Sequence, residues 1–143
     1  MRILIICTGN SCRSQMAEGF LKSLDSRLDV FSAGIRPETK VNPFAVKVMK
    51  EINIDIRSQK PKAVENFTHD SFDFVITVCD NAHKNCPIFS GKVGKNMHFG
   101  FDDPAKATGS DEEILKIYRE TRDAIIREFS SFYIREIKHR REV

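Results

Sequence analysis

Cys7 and Arg13 stand with five residues between them, and Ser14 follows directly. The intervening Thr8-Gly9-Asn10-Ser11-Cys12 is small and polar. A thiol becomes a strong nucleophile as its thiolate. A helix N-terminus and a nearby cation bring a cysteine pKa from about 8.5 to roughly 3.5–7.5. A loop opening a helix aims several backbone N–H groups into one concavity, where the helix dipole adds partial positive charge. Arg13 adds a bidentate grip on two oxygens that a lysine cannot imitate. Thr8, Gly9, Asn10, Ser11, Cys12, Arg13 and Ser14 therefore read as a cradle for a tetrahedral oxyanion. Cys7 faces its centre as a thiolate, Ser14 donates to the sulfur, and Gly9 and Asn10 accept positive φ. A lone cysteine would be read as a small buried hydrophobe closing a strand; the spacing to Arg-Ser favours the cradle. No Gly-Lys-Ser/Thr closes the loop, so it is not a nucleotide P-loop.

The flanking elements must hold that loop. Ile3-Leu4-Ile5-Ile6 reads as a buried strand over 2–6, and Met16, Ala17, Phe20, Leu21 and Leu24 give a helix over 14–24, with Gly19 marking close packing. A second strand spans 29–33 and ends at Gly34. Asn42-Pro43 opens a helix whose apolar face is Ala45, Val48, Met49 and Ile52. A short helix falls near Val64–Phe67, and Phe72–Val78 is a buried strand ending at Cys79. Residues 80–96 read as a polar loop with a helical turn, and 97–101 as a fourth strand. Ser110 and Glu113 form a capping box for a last helix with Ile114, Ile117, Tyr118, Thr121, Ile125, Phe129 and Phe132 on its apolar face. The tail Lys138-His139-Arg140-Arg141 reads as a solvated basic end. Strands alternating with helices imply a single α/β domain over 1–143, a four-stranded parallel sheet with helices on both faces. Ligands of such sheets bind beyond the carboxyl ends of the strands. Cys7, Cys79 and Asp103 all fall on that edge.

Cys79 and Cys86, with six residues between them, read either as one buried and one loop thiol or as a redox pair whose sulfurs meet if the backbone moves. A zinc site from Cys7, Cys12, Cys79 and Cys86 has the count but not the usual spacing of about two to four residues, so no metal is expected. Cys12 is read as a packed bystander. Asp103 before Pro104 is a turn residue or a general acid, with Asp102 the lesser candidate. His83 reads as solvent-exposed. The 143 residues fit one domain, at 41% hydrophobic and 30% charged. A net charge of +3 suits an anionic substrate and is too small for nucleic-acid binding. No apolar run approaches the roughly 20 residues of a membrane span, and no signal-peptide layout opens the chain. The expectation is a cytoplasmic monomer with reduced thiols.

With these residues assembled, the chain resembles the thioredoxin-coupled arsenate reductases, which share the fold of low-molecular-weight protein tyrosine phosphatases. The resemblance runs over about residues 3–130. It is carried by the run from Cys7 to Gly19, Ser32-Ala33-Gly34, Val41-Asn42-Pro43, Cys79 through Cys86-Pro87, and Gly100-Phe101-Asp102-Asp103-Pro104-Ala105. The phosphatase version of the loop usually has proline where this chain has Gln15, and tyrosine where it has Ala105. The resemblance implies that Cys7 attacks arsenate held by the loop amides and Arg13, while Asp103 protonates the departing oxygen. Cys79 then attacks Cys7, arsenite leaves, and Cys86 moves the disulfide to Cys79–Cys86, which thioredoxin reduces. No organic cofactor or metal is implied for that chemistry. Some members hold potassium with residues matching Asn10, Glu18 and Ser32 plus an acid near position 62; here Lys62 stands there, with an ammonium able to take the ion's place, and no potassium site is expected. Phosphoester hydrolysis by Cys7, Arg13 and Asp103 is the competing reading, and a non-catalytic oxyanion-binding or redox-sensing module a third.

Overall fold

Ile3, Leu4, Ile5 and Ile6 are each fully buried, which requires both faces of their strand to be covered. That strand, β1 (Arg2–Cys7), lies inside a sheet with β2 (Asp29–Gly34), β3 (Phe72–Thr77) and β4 (Val93–His98), in the order β2-β1-β3-β4. Every pairing is parallel, with Ile5 opposite both Ser32 and Ile76. The computed structural model describes residues 1–138; most of the expected basic tail, 139–141, lies outside the described residues.

The helices follow local signals. α1 (Arg13–Leu24) starts one residue before the expected position, and a Cβ on its Gly19 would come within 2.5 Å of Ile56 Cγ2, so the glycine allows that contact. α2 (Pro43–Lys50) is capped by Asn42, whose side chain accepts from the Phe44 N–H at 2.8 Å. Val64–Phe67 is a short 3-10 turn, as expected.

Three expectations need correction. The stretch 80–96 holds a full helix, α3 (Asp80–Asn85), and the fourth strand begins at Val93. The strand starts four residues before the expected 97–101, because Gly94, Lys95 and Asn96 are exposed on a sheet edge and carry no apolar run. Phe99 and Phe101 leave the strand but still donate backbone N–H bonds to Thr77 and Val78. On α4 (Asp111–Phe132) the predicted capping box is present, but the buried stripe is Leu115, Tyr118, Thr121, Ile125, Phe129 and Phe132. Ile114 sits on its flank, and Ile117 is 38% exposed.

Candidate active site

A peptide plane points its C=O and the next N–H in opposite directions. The carbonyls of the 7–12 loop are all drawn away from its centre. Cys7, Thr8, Gly9 and Ser11 accept from the backbone N–H groups of Ile35, Arg36, Glu38 and Asn42 at 2.8–3.1 Å. The Asn10 carbonyl accepts from Gln15 Nε2 at 3.0 Å, and that of Cys12 from Met16 N–H at 2.9 Å. The N–H groups of residues 8–13 are thereby turned inward onto a cavity of about 240 Å³ that Cys7, Arg13 and Asp103 also line. This is the nest for an oxyanion that the sequence suggested.

Asn10 is the pivot of the loop. Its φ of 52° lies in the left-handed region, and its side chain is fully buried. Nδ2 donates to Ser14 Oγ at 2.8 Å and to Ser32 Oγ at 2.9 Å, and Oδ1 accepts from the Lys62 N–H at 2.9 Å. Gly9, expected to share the positive φ, does not have it. Its value is space, since a Cβ there would stand 3.0 Å from Glu38 Cγ. Ser32 in turn donates to Glu18 Oε1 at 2.6 Å. Buried Glu18 faces two ammonium groups, Lys22 Nζ at 2.6 Å and Lys62 Nζ at 4.0 Å. Burial lowers the Lys62 pKa, against the pull of Glu18. The oxygens that would coordinate potassium here are thus already occupied by Lys22, Lys62 and the Lys62 amide, and the donor set does not fit a cation.

Arg13 is 9% exposed, donates Nη1 to the Phe101 carbonyl at 2.9 Å, and holds Nη2 3.7 Å from Asp103 Oδ2. Asp103 also caps a short 3-10 turn, accepting the Ala105 N–H at 3.0 Å, so the turn role and the place in the cavity coexist. Asp102 is exposed and lines the neighbouring cleft rather than this cavity. Cys12 Sγ lies 3.7 Å from the buried Tyr118 hydroxyl, and burial raises both groups' pKa values.

Cys79 ends the turn after β3, at the N-cap of α3, close enough to Cys7 for the two thiols to influence each other's charge. Thr8 Oγ1 lies 3.3 Å from Cys79 Sγ and accepts from Asn81 Nδ2 at 2.9 Å, which leaves its own proton to point at the sulfur. The Ala82 N–H adds a contact at 3.4 Å. These donors, led by the Cys7 thiol, lower the Cys79 pKa to about 5 against the cost of burial. Cys7 moves the other way: the hydrogen bond it gives Cys79 and its burial raise its pKa, despite Arg13 and the Thr8 amide. Two coupled thiols share one charge, and the Thr8 hydroxyl and Ala82 N–H beside Cys79 favour it there. The direction runs against the expected Cys7 thiolate: in the anion-free site Cys79 and burial raise the Cys7 pKa, while Arg13 and the Thr8 amide lower it. Ser14 is buried beside the loop, and its hydroxyl accepts from Asn10 Nδ2.

The structure thus brings Cys7, Arg13, Cys79 and Asp103 together. Cys86 is left at the far end of α3, half-buried, its pKa raised by desolvation. Sequence reasoning missed Gln15 and Gln59. Gln15 is fully buried and donates to the carbonyls of Asn10 and Lys60, while its Oε1 accepts from Gln59 Nε2 at 2.7 Å. The departure from proline at position 15 was the available signal.

A parallel sheet with a cysteine-headed anion loop at its carboxyl edge defines the class of cysteine-dependent phosphatase-like proteins. The family model described as low molecular weight phosphotyrosine protein phosphatase matches residues 2–142, and the chain belongs to that family. Within it, the chain is 47% identical over 131 residues to an arsenate reductase of Halalkalibacterium halodurans, covering 91% of this chain and 93% of the relative. A solved arsenate reductase in its phosphate-binding state superposes with a TM-score of 0.77 at 31% identity, over 92% of this chain and 95% of the other. A thioredoxin-dependent arsenate reductase of Corynebacterium glutamicum superposes with a TM-score of 0.61 at 25% identity, over 93% of this chain and 62% of that one.

Proposed function

We propose that this protein reduces arsenate to arsenite through Cys7, Cys79 and Cys86, with thioredoxin restoring the thiols. The observation that supports this reading is a second thiol at the mouth of the anion loop: Cys79 Sγ lies 3.3 Å from Thr8 Oγ1, the residue next to Cys7, and lines a cleft with Thr8 and Arg13. Hydrolysis of a phosphoester has no use for a second thiol there.

Arsenate enters the nest with its oxygens on the loop amides and on Arg13. The Cys7 sulfur bonds arsenic as its proton passes along the hydrogen bond to the Cys79 thiolate. Asp103 supplies a proton to the departing oxygen, which leaves as water. Cys79 then attacks the Cys7 sulfur. The S–As bond breaks with its electron pair staying on arsenic, so As(V) becomes As(III), and the Cys79 proton goes to the arsenite. Two thiols have lost two electrons and stand as a Cys7–Cys79 disulfide. Cys86 exchanges into it, freeing Cys7 and leaving Cys79–Cys86 for a dithiol such as thioredoxin. The identities of the relatives above support the substrate and the electron donor.

The test is turnover of arsenate with thioredoxin, thioredoxin reductase and NADPH. Cys79→Ser is expected to abolish NADPH consumption while sparing any hydrolysis of a phosphoester. Equal loss of both activities would remove Cys79 from its role. Hydrolysis by Cys7, Arg13 and Asp103 remains the second reading, favoured by Asp103 standing beside Arg13 in the same cavity.

A further inference from the structure

Helix α3 joins Cys79, its N-cap, to Cys86, its C-cap. Seven residues along an α-helix separate two Cα atoms by roughly 10 Å, whereas a disulfide needs a Cα separation below about 7 Å. The Cys79–Cys86 bond and an intact α3 are therefore mutually exclusive. Any contact that exists only while α3 is helical favours the dithiol.

One such contact lies outside the chemistry described above. His98, on β4, holds Nε2 3.3 Å from Asp80 Oδ1 and Nδ1 2.8 Å from Thr77 Oγ1. With Nε2–H donating to Asp80, Nδ1 accepts the Thr77 proton, so the ring is rooted on β3. The imidazole of His83 stacks on it, with centroids 4.3 Å apart and planes 27° off parallel. Asp80 and His83 are three apart, so they share one face of α3 and meet His98 together only in the helical state. His98 thus bridges the sheet to both ends of one helical turn.

We propose that His98 and His83 are positioning residues that clasp α3 in its helical form and so bias the Cys79–Cys86 couple toward the dithiol. The inference rests on the three-thiol reading of the function. The clasp keeps α3 folded, and Cys79 at Cys7, until oxidation of the pair repays its opening. It also makes the disulfide easier for a dithiol partner to reduce, because reduction regains the clasp.

The experiment equilibrates the full-length protein with mixtures of reduced and oxidised dithiothreitol at fixed pH. The pair yields two electrons and two protons to the oxidised reagent, and the Cys79–Cys86 disulfide is counted by thiol trapping and peptide mapping. His98→Ala is expected to shift the equilibrium roughly three- to tenfold toward the disulfide, which is about 14 to 30 mV lower in potential. His83→Ala, at an exposed position, shifts it in the same direction even though alanine is the better helix former. His83→Phe, which keeps a ring on His98, stays at the wild-type value. An unchanged potential in both alanine variants, with the wild-type disulfide forming normally, overturns the clasp. A wild type that forms no Cys79–Cys86 disulfide overturns the three-thiol reading, and the clasp with it.

Discussion

Gln15→Met replaces a fully buried amide by an apolar side chain of similar length, so the change removes polar contacts without opening a large void. The Gln15 side chain makes bonds to Asn10 O, Lys60 O and Gln59 Nε2. Two of those partners keep a second bond: Lys62 Nζ reaches Lys60 O at 2.6 Å, and Gln59 Nε2 still donates to the Gln15 carbonyl at 3.0 Å. Among the described residues the Asn10 carbonyl has no such second partner. An orphaned buried carbonyl costs about 1–3 kcal/mol, and the other lost bonds about 0.5–1.5 kcal/mol each. We expect a loss of about 2–6 kcal/mol in urea unfolding. The functional effect follows from the peptide plane. An unpaired Asn10 carbonyl regains a partner by rotating toward the cavity, which turns the Ser11 N–H out of the nest. Phosphate, which fits the same nest without reacting, should bind roughly tenfold more weakly by calorimetry, as suits one lost hydrogen bond to a charged group. Undiminished phosphate affinity together with a stability loss below about 0.5 kcal/mol would refute the view that Gln15 sets the loop.

Three further outcomes follow from the same site. Iodoacetamide labelling mapped by site should find Cys79 reacting faster than Cys7, with a rate that rises through pH 5 and is flat by about pH 7. A Cys79 profile still rising through pH 8 to 9 would return the charge to Cys7. The sign for stability agrees: Cys79 is depressed from 9.0 to about 5, so its contribution is complete above pH 9 and is lost as pH falls through 5. Cys79→Ser should flatten that slope in pH-dependent unfolding. Exchanging potassium for sodium at constant ionic strength should leave arsenate turnover and thermal midpoint unchanged, because Lys22 and Lys62 already face Glu18. A potassium-dependent rise in either would show that Lys62 swings away to admit the ion.

The amino-acid sequence by itself determined the anion loop, the parallel α/β architecture and the edge on which Cys7, Cys79 and Asp103 fall. Each is a local matter. The loop draws its amides from consecutive residues between one apolar run and one amphipathic helix, and the caps at Asn42 and Ser110 are set by neighbours two and three residues away. Only the tertiary structure decided the rest. β4 pairs on one side only, and its start at Val93 is set by pairing with β3, because Gly94, Lys95 and Asn96 are exposed and carry no apolar pattern. The Cys79 pKa is lowered first by Cys7 and then by the hydroxyl of Thr8, 71 positions away in the chain. The loop is braced by Gln59, 44 positions from Gln15. A hydrogen bond between distant residues leaves no periodicity in a sequence, since its energy depends on burial and angle in the folded chain.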